Sequence, residues 1–400
     1  MGNFYAALEL GTTRTVLATA EAEAGSRLRI TCHAAIPSSG IRKSQILSIP
    51  DATQSIRSVI REIEKKQAAS GSKMTFGNAF LAVSGQHIVA SHAEGQALVG
   101  GQKVTEAEIE EAIRQTRLIQ IPEGRELLDI ADQDYALDSR GGLSDPRGMS
   151  GRVLKLNTLQ IHADSNRIKD ARSAAGEARL EICEPVFATT CAADAVLEEH
   201  ERRNGVLVLD LGGGSTGYAA YANGYLIASG VIGVGGDHIT NDIASAFQTT
   251  NAQAETLKTT EASAEVHEYP NERSRVRVAG SSALMDGRTI SRRALDTVVN
   301  ARLKELFTIV RETLEDQDVL NHLHAGCVLT GGGANLRDID ALAEKELCLG
   351  VRRGRPIHID GLENEKCPWN YAAIAGALIY ARNNGDDTSF LGGLFRRFFK

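Results

Sequence analysis

Three separate stretches of this chain carry an apolar run straight into a turn of glycine, threonine and serine. They are Tyr5-Ala6-Ala7-Leu8-Glu9-Leu10-Gly11-Thr12-Thr13-Arg14, Val206-Leu207-Val208-Leu209-Asp210-Leu211-Gly212-Gly213-Gly214-Ser215-Thr216 and Cys327-Val328-Leu329-Thr330-Gly331-Gly332-Gly333-Ala334-Asn335. The apolar runs read as buried strands. The turns have the composition needed to wrap a phosphate, because glycine permits unusual dihedrals and close approach, exposing N–H donors. An acidic residue precedes the first two turns, Glu9 and Asp210, where it can hold a metal-bound water. Three such turns spread over the whole length predict one nucleotide gripped from several sides.

The first two turns head matching patterns. After Gly11 come strand-like runs over 15–20 and 27–35, then a helix over 51–69 with Ile56, Val59, Ile60 and Ile63 on one face. After Gly212 come runs over 217–222 and 225–231, then a helix over 237–247. A strand, a phosphate turn, two further strands and a helix thus occur twice, which predicts a duplicated α/β domain with a cleft between its copies. A single Rossmann sheet fits poorly, since its GxGxxG turn opens a helix and these turns lead into further strands. Residues 85–163 have a different texture: a helix opened by the capping box Thr105-Glu106-Ala107-Glu108, strands over 127–137 and 152–161, and a loop over 138–151 rich in Gly, Ser and Pro. They read as an inserted subdomain. A long amphipathic helix is expected over 291–314. Another over 368–382, with the small residues Ala372, Ala373, Ala375, Gly376 and Ala377, suits close packing on a sheet. Asn383-Asn384-Gly385-Asp386-Asp387 then reads as a polar linker.

With 42% hydrophobic residues, 400 residues provide for large cores in two or more units. The net charge of −7 and the lack of a basic, aromatic-laced stripe argue against nucleic acid as a partner. Cys32, Cys183, Cys191, Cys327, Cys348 and Cys367 form no CxxC pair and read as small buried hydrophobes in a reducing compartment. The first residues lack the basic and apolar regions of a secretion signal, and Ala6 stands where myristoylation wants Ser or Thr. No apolar run approaches the roughly eighteen residues that span a bilayer. The expected compartment is the cytosol.

The last thirteen positions stand apart. Phe390, Leu391, Leu394, Phe395 and Phe398 recur at helical spacing, with Phe399 beside them, while Arg396, Arg397 and Lys400 are positive with no acid nearby. One reading is an ordinary terminal helix docked on the core. The other is a segment that folds only where its greasy face is buried, since so short a helix is marginal in water. A membrane interface with anionic headgroups suits that face, each basic residue adding about 1 kcal/mol. A single anchor of this kind is reversible; many copies on a polymer bind by avidity.

Taken together, these segments make the chain resemble, nearly end to end, the FtsA family, the bacterial cell-division branch of the actin, MreB and heat-shock-chaperone ATPase superfamily. Gly11-Thr12-Thr13-Arg14 resembles the family's first phosphate loop, with arginine where lysine is frequent. Asp210-Leu211-Gly212-Gly213-Gly214-Ser215-Thr216 is similar to the second loop, and Gly331-Gly332-Gly333-Ala334-Asn335-Leu336 to the adenosine motif. Gly235-Gly236-Asp237 resembles the segment that follows the second loop's strands. Glu255 and Lys258 resemble the acid and lysine of a ribose-contacting helix. Gly393-Leu394-Phe395-Arg396-Arg397-Phe398-Phe399 is similar to the family's membrane-targeting helix.

The resemblance implies an α/β, actin-like fold: two duplicated ribonuclease-H-like halves around a nucleotide cleft, with an inserted subdomain and a C-terminal amphipathic helix. Residues 1–84, 164–203 and 368–383 would form the first lobe, and 85–163 the insert. Residues 204–249 and 325–367 would form the second lobe, 250–324 its subdomain, 384–387 a linker and 388–400 the membrane-targeting helix. It further implies binding of ATP with Mg2+, self-assembly into filaments, and tethering of the FtsZ ring to the cytoplasmic face of the membrane at the division septum. Other divisome proteins are implied as partners, and the FtsZ C-terminal tail would dock around 250–321.

Phosphoryl chemistry needs charge neutralisation and a positioned water more than covalent steps. Asp210 is the residue to hold Mg2+ through its waters, with Glu9 beside it. Backbone N–H groups of Gly11 to Thr13 and Gly212 to Ser215 would cradle the phosphates, with Arg14 as counter-charge. Gly331, Gly332 and Gly333 would let adenine and ribose lie close to the backbone. Glu255 and Lys258, three apart, would equally stabilise an exposed helix. The connecting segment 187–197 supplies no glutamine or glutamate of the actin kind, and Asp194 reads as an exposed helix acid; tight binding with slow hydrolysis is expected. Asp129, Asp132, Asp134 and Asp138 lack the glycine and glutamate of a calcium loop. His322 and His324 are expected in a loop, and no GxxxxGK[ST] is present. Two other functions stay open: a pilus-assembly-type scaffold, and a small-molecule kinase of the same superfamily.

Overall fold

The computed structural model of the protein describes residues 3–22, 27–69, 77–119, 121–271, 274–278 and 288–384. The chain opens with β1 (Asn3–Leu10), β2 (Arg14–Ala22) and β3 (Arg29–Pro37), followed by the small hairpin β4 (Ile41–Arg42) and β5 (Gln45–Ile46), helix α1 (Ile49–Ala69) and β6 (Asn78–Val83). Then come β7 (Val89–Leu98), α2 (Glu106–Leu118), β8 (Arg125–Leu137), β9 (Arg140–Leu143) and β10 (Val153–Asp164). Next are α3 (Ser165–Glu177), β11 (Glu181–Phe187), α4 (Ala188–Val196) and α5 (Glu199–Asn204). The second half runs β12 (Val206–Leu211), β13 (Thr216–Ala222), β14 (Tyr225–Ile232), α6 (Gly236–Ala246), α7 (Asn251–Thr260), β15 (Arg275–Val278), β16 (Arg288–Ser291) and α8 (Arg292–Asp316). It finishes with β17 (Cys327–Thr330), α9 (Ile339–Leu347), β18 (Val351–Arg353) and α10 (Ala372–Asn384).

Two five-stranded sheets repeat one topology. In the first, β1, β2 and β3 form an antiparallel meander and β6 and β11 add in parallel beyond β1, giving the order β11-β6-β1-β2-β3. In the second, β12, β13 and β14 form the meander and β17 and β18 add in parallel beyond β12. The strands are buried on both faces, as continuous apolar runs require: β13 is buried at every position and β2 from Thr15 to Ala20. Helix α1 presents Ile56, Val59 and Ile63 to the first core, the face its 3.6-residue periodicity marks out.

Helices α4 and α10 tie the halves together in opposite directions. Helix α4 leaves the first sheet and packs on β12 and β13, while α10 leaves the second half and packs on β1, β2 and β6. They touch so closely that a Cβ added at Gly376 would lie 1.7 Å from the Cys191 carbonyl oxygen. The small residues of α10 serve this contact as much as the sheet.

The insert is a four-stranded antiparallel sheet, β7-β10-β8-β9, with α2 laid on β7 and its own core of Ile109, Ile113, Leu154 and Leu156. Its helix starts where the capping box places it: Thr105 N–H donates to Glu108 Oε2 at 2.8 Å. The 138–151 stretch is not simply a loop. It carries β9, paired to β8 and steadied by Gly142 N–H donating to Asp134. Cys32, Cys191 and Cys327 are buried, but Cys183 and Cys348 are exposed and Cys367 is half-buried. Cys183 falls on the outward alternation of edge strand β11, and Cys348 is the left-handed cap of α9. The C-terminal segment Phe390 to Lys400 lies outside the described residues. Among the described residues no helix is long and apolar enough to cross a membrane.

Candidate functional site

Glu9 and Asp210 occupy the same place in the duplicated plan, next to last on β1 and on β12. Glu9 pairs with Val16 and Ala82, and Asp210 with Gly217 and Thr330, so each is flanked by its meander neighbour and its first parallel strand. The two turns that follow are closed alike. Gly11 N–H donates to Arg14 O and Gly212 N–H to Ser215 O, both at 3.0 Å. A Cβ at Gly11 would lie 2.8 Å from Arg14 O, and one at Gly212 would lie 2.8 Å from Ser215 O, which is why glycine opens both loops.

The loops face each other across the cleft. The Thr13 hydroxyl lies 2.1 Å from where a Gly213 Cβ would stand, and the Thr12 hydroxyl 2.5 Å from a Gly214 Cβ. A third turn closes in from β17. Gly331 has φ +80°, and a Cβ there would meet Asp210 Oδ1 at 2.5 Å, so both its conformation and its neighbour demand glycine. Gly236 and Asp237, at the start of α6, donate their N–H groups to the carbonyls of Gly212 and Gly213.

These loops surround one cavity of about 370 Å³ between the lobes. It is lined by Glu9, Gly11, Thr12, Thr13, Arg14, Asp210, Gly212, Gly213, Ser215, Gly235, Gly236, Glu255, Lys258, Gly331, Gly332, Gly333 and Asn335. Gly214 alone of the expected cofactor set is not in the lining; it is pressed between the Thr12 side chain and the Lys43 backbone. Glu255 and Lys258 form a pair at the cavity edge, with the Lys258 side chain largely buried and the Glu255 side chain 40% exposed. Lys258 Nζ lies 2.6 Å from Glu255 Oε2 and also donates to Thr240 Oγ1 at 2.8 Å and Gly236 O at 3.1 Å.

Several lining residues escaped sequence reasoning: Ser44 and Ser84 from the first lobe, and Leu303, Leu306, Ile339, Trp369 and Asn370 at the other end. Trp369 Nε1–H donates to Asn335 Oδ1 at 2.7 Å, and Asn335 Nδ2–H donates to Asn370 Oδ1 at 2.8 Å. The Asn335 amide orientation follows, because an indole N–H can only donate. Arg353 lies over the Trp369 ring. The one tryptophan of the chain was the available signal.

Burial, with the Asp210 charge adding, pushes the Glu9 carboxyl up to about 7 against the pull of Arg14. Burial pushes Asp210 up to about 6, opposed by the Thr330 hydroxyl and Arg14. Burial also raises Asp237, with Lys258 the main opposing charge. Two buried carboxylates, with the charge of Asp210 further hindering ionisation of Glu9, are a donor set a hard dication would relieve. Among the described residues no group of three or more His, Cys, Asp or Glu is placed to hold a metal ion. Asp194 departs from expectation: it is not an exposed acid but is paired with Arg202 at 2.8 Å, and Arg202 stacks on Tyr221.

Duplicated sheets with matched glycine turns closing on one cleft define an actin-like protein. Comparison with solved structures agrees on the fold. The chain superposes on a PilM–PilN type IV pilus biogenesis complex with TM-score 0.64 at 18% identity, covering 94% of this chain and 97% of that one. MreB5 of Spiroplasma citri bound to ADP gives 0.54 at 16% identity, covering 95% and 96%. Residues 207–376 match the family model "Cell division protein FtsA", and 85–162 match "SHS2 domain inserted in FTSA". The cell division protein FtsA of Pseudomonas aeruginosa is 30% identical over 392 residues, covering 96% of this chain and 91% of that protein. That of Escherichia coli (strain K12) is 28% identical, covering 94% and 90%. The chain belongs to the FtsA family of cell division proteins, with an actin-like role in division.

Proposed function

We propose that this chain binds ATP with Mg2+ in the interlobe cavity, assembles with its own copies into filaments, and anchors the FtsZ division ring to the cytoplasmic face of the membrane while recruiting other divisome proteins. The observation that carries the nucleotide reading is the convergence of three glycine turns and two carboxylates on one cavity of about 370 Å³, within the size range of ligand sites. Backbone N–H groups of the Gly11 and Gly212 loops would receive the phosphates, with Arg14 as their counter-charge. Asp210 and Glu9 would hold the hydrated Mg2+, whose charge offsets that of the phosphates. Gly331 to Gly333 and Asn335 would border ribose and base, and Glu255 with Lys258 would face the sugar. A small-molecule kinase needs a free carboxylate for its acceptor, and Asp194 is held by Arg202.

Calorimetric titration of the full chain with Mg-ATP tests the cleft. We expect saturable binding at one site, weakened by Asp210→Asn far more with Mg2+ than without it; a wild-type chain that binds no nucleotide ends the reading. For the tail, the test is co-sedimentation with liposomes of the full chain against one ending at Asp387. Anionic vesicles should pellet only the full chain, and equal pelleting would remove the membrane anchor.

A further inference from the structure

The small hairpin of β4 and β5 reaches from the first lobe into the cleft, and none of the glycine motifs announces it. Its two turn residues, Lys43 and Ser44, both hold left-handed backbone at φ 50° and 56°. Two-residue hairpins favour that geometry, but with Asn-Gly in it; Lys-Ser, with side chains on both residues, holds it at a steric cost. Such strain persists where surrounding contacts hold it, and it gathers at ligand clamps.

The contacts that hold it come from the phosphate loops. Ser44 N–H donates to Thr12 Oγ1 at 2.8 Å. The Ser44 hydroxyl lies 3.4 Å from Ser215 Oγ on the second loop and 3.4 Å from Ser84 Oγ at the end of β6. Lys43 Cα lies 2.7 Å from where a Gly214 Cβ would stand, so the second loop is glycine there to admit the hairpin. The charge of Arg42 reaches Asp237, at the start of α6. One turn of the first lobe therefore touches the tips of both loops.

The three hydroxyls are poorly matched to one another. Spacings of 3.4 Å exceed the roughly 2.7–2.8 Å that O–H···O bonds prefer. Ser44, Ser84 and Ser215 all line the cavity, each with a proton to donate. An anionic oxygen set among them would be a better acceptor than any of the three.

We propose that the Lys43–Ser44 turn reads the terminal phosphate of a nucleoside triphosphate, with Ser44 and Ser84 donating to its oxygens. The proposal rests on the nucleotide reading of the cleft. A diphosphate, one phosphate shorter, leaves those hydroxyls facing only one another. Because the turn also leans on Gly214 and Ser215, filling it with phosphate ties the first lobe to the second, and losing the terminal phosphate loosens that tie.

The test compares dissociation constants for Mg-ATP and Mg-ADP in the full chain carrying Ser44→Ala or Ser44→Gly. Glycine keeps the left-handed turn without strain, so agreement of the two variants separates loss of the hydroxyl from collapse of the hairpin. Hydrogen bonds to charged groups predict an affinity for Mg-ATP weakened about tenfold or more in both, with Mg-ADP changed less than about twofold. Equal loss for the two nucleotides, or no loss for either, overturns the reading of the turn while leaving nucleotide binding intact. A wild-type chain that binds neither nucleotide overturns the cleft reading itself.

Discussion

Replacing Glu9 by glutamine keeps the shape of the side chain and removes its charge. The Glu9 carboxyl is raised from 4.5 to about 7, first by burial and then by Asp210. A raised acid opposes folding only when ionised. Between these two pH values the folded chain binds a proton that the unfolded chain has released, so stability falls as pH rises through the interval. The full penalty stands above pH 7 and vanishes below about 4. At 1.36 kcal/mol per unit the ceiling is about 3 kcal/mol; water in the open cavity screens this to about 1–2 kcal/mol. Glu9→Gln without nucleotide or Mg2+ should therefore raise the unfolding midpoint at pH 8 by about 1–2 °C and leave it unchanged at pH 4. With Mg-ATP present the sign should reverse, because the removed charge was a partner of the dication. Differential scanning fluorimetry at both pH values reads this directly. A gain of equal size at pH 4 and pH 8 would show that packing, not charge, governs the position, and a loss at pH 8 would refute the reasoning outright.

Burial and Arg167 lower the His87 imidazole to about 4, so the unfolded chain takes up a proton near pH 6.5 that the folded chain refuses. Its contribution is complete above pH 6.5 and is lost as pH falls towards 4; His87→Phe should gain on the wild type in urea midpoint between pH 7.5 and pH 4.5. Gly376→Ala must part α10 from α4 and should cost about 3 kcal/mol in chemical denaturation. Gly176→Ala on α3, where a Cβ meets nothing within 4 Å, should instead stabilise by ~0.4–1 kcal/mol. Trp369 is the one tryptophan and borders the cavity, so Mg-ATP should change its emission saturably, and Trp369→Phe should abolish the signal while sparing the fold.

The parts of the fold legible in the sequence are those set by local chemistry. Strand runs ending in glycine announce β1, β12 and β17, because buried strands and tight turns each impose a composition. The α2 capping box is a contact between residues three apart, and Ser291 caps α8 by accepting from Ala294 N–H. The site was legible to the same extent. Glu9, Asp210 and the three turns could be picked out, since each carries its own chemistry. Ser44 and Ser84 could not, because nothing beside them in the chain distinguishes a serine near a phosphate loop from any other serine. Asp194 was misjudged for the same reason. Its partner Arg202 lies beyond the end of α4, on a helix turned back against it. β9 was hidden by the glycines that let its hairpin turn.

Helix α10 comes from the far end of the described chain, yet it covers β1, β2 and β6, strands that are made long before it. During synthesis this sheet must therefore wait, with its apolar surface open, until α10 itself has left the ribosome. Contacts so distant along the chain form slowly. An unfinished product is exposed to aggregation for that interval. Stopping translation before Ala372 would leave the N-terminal half without its lid, however well its own strands pair.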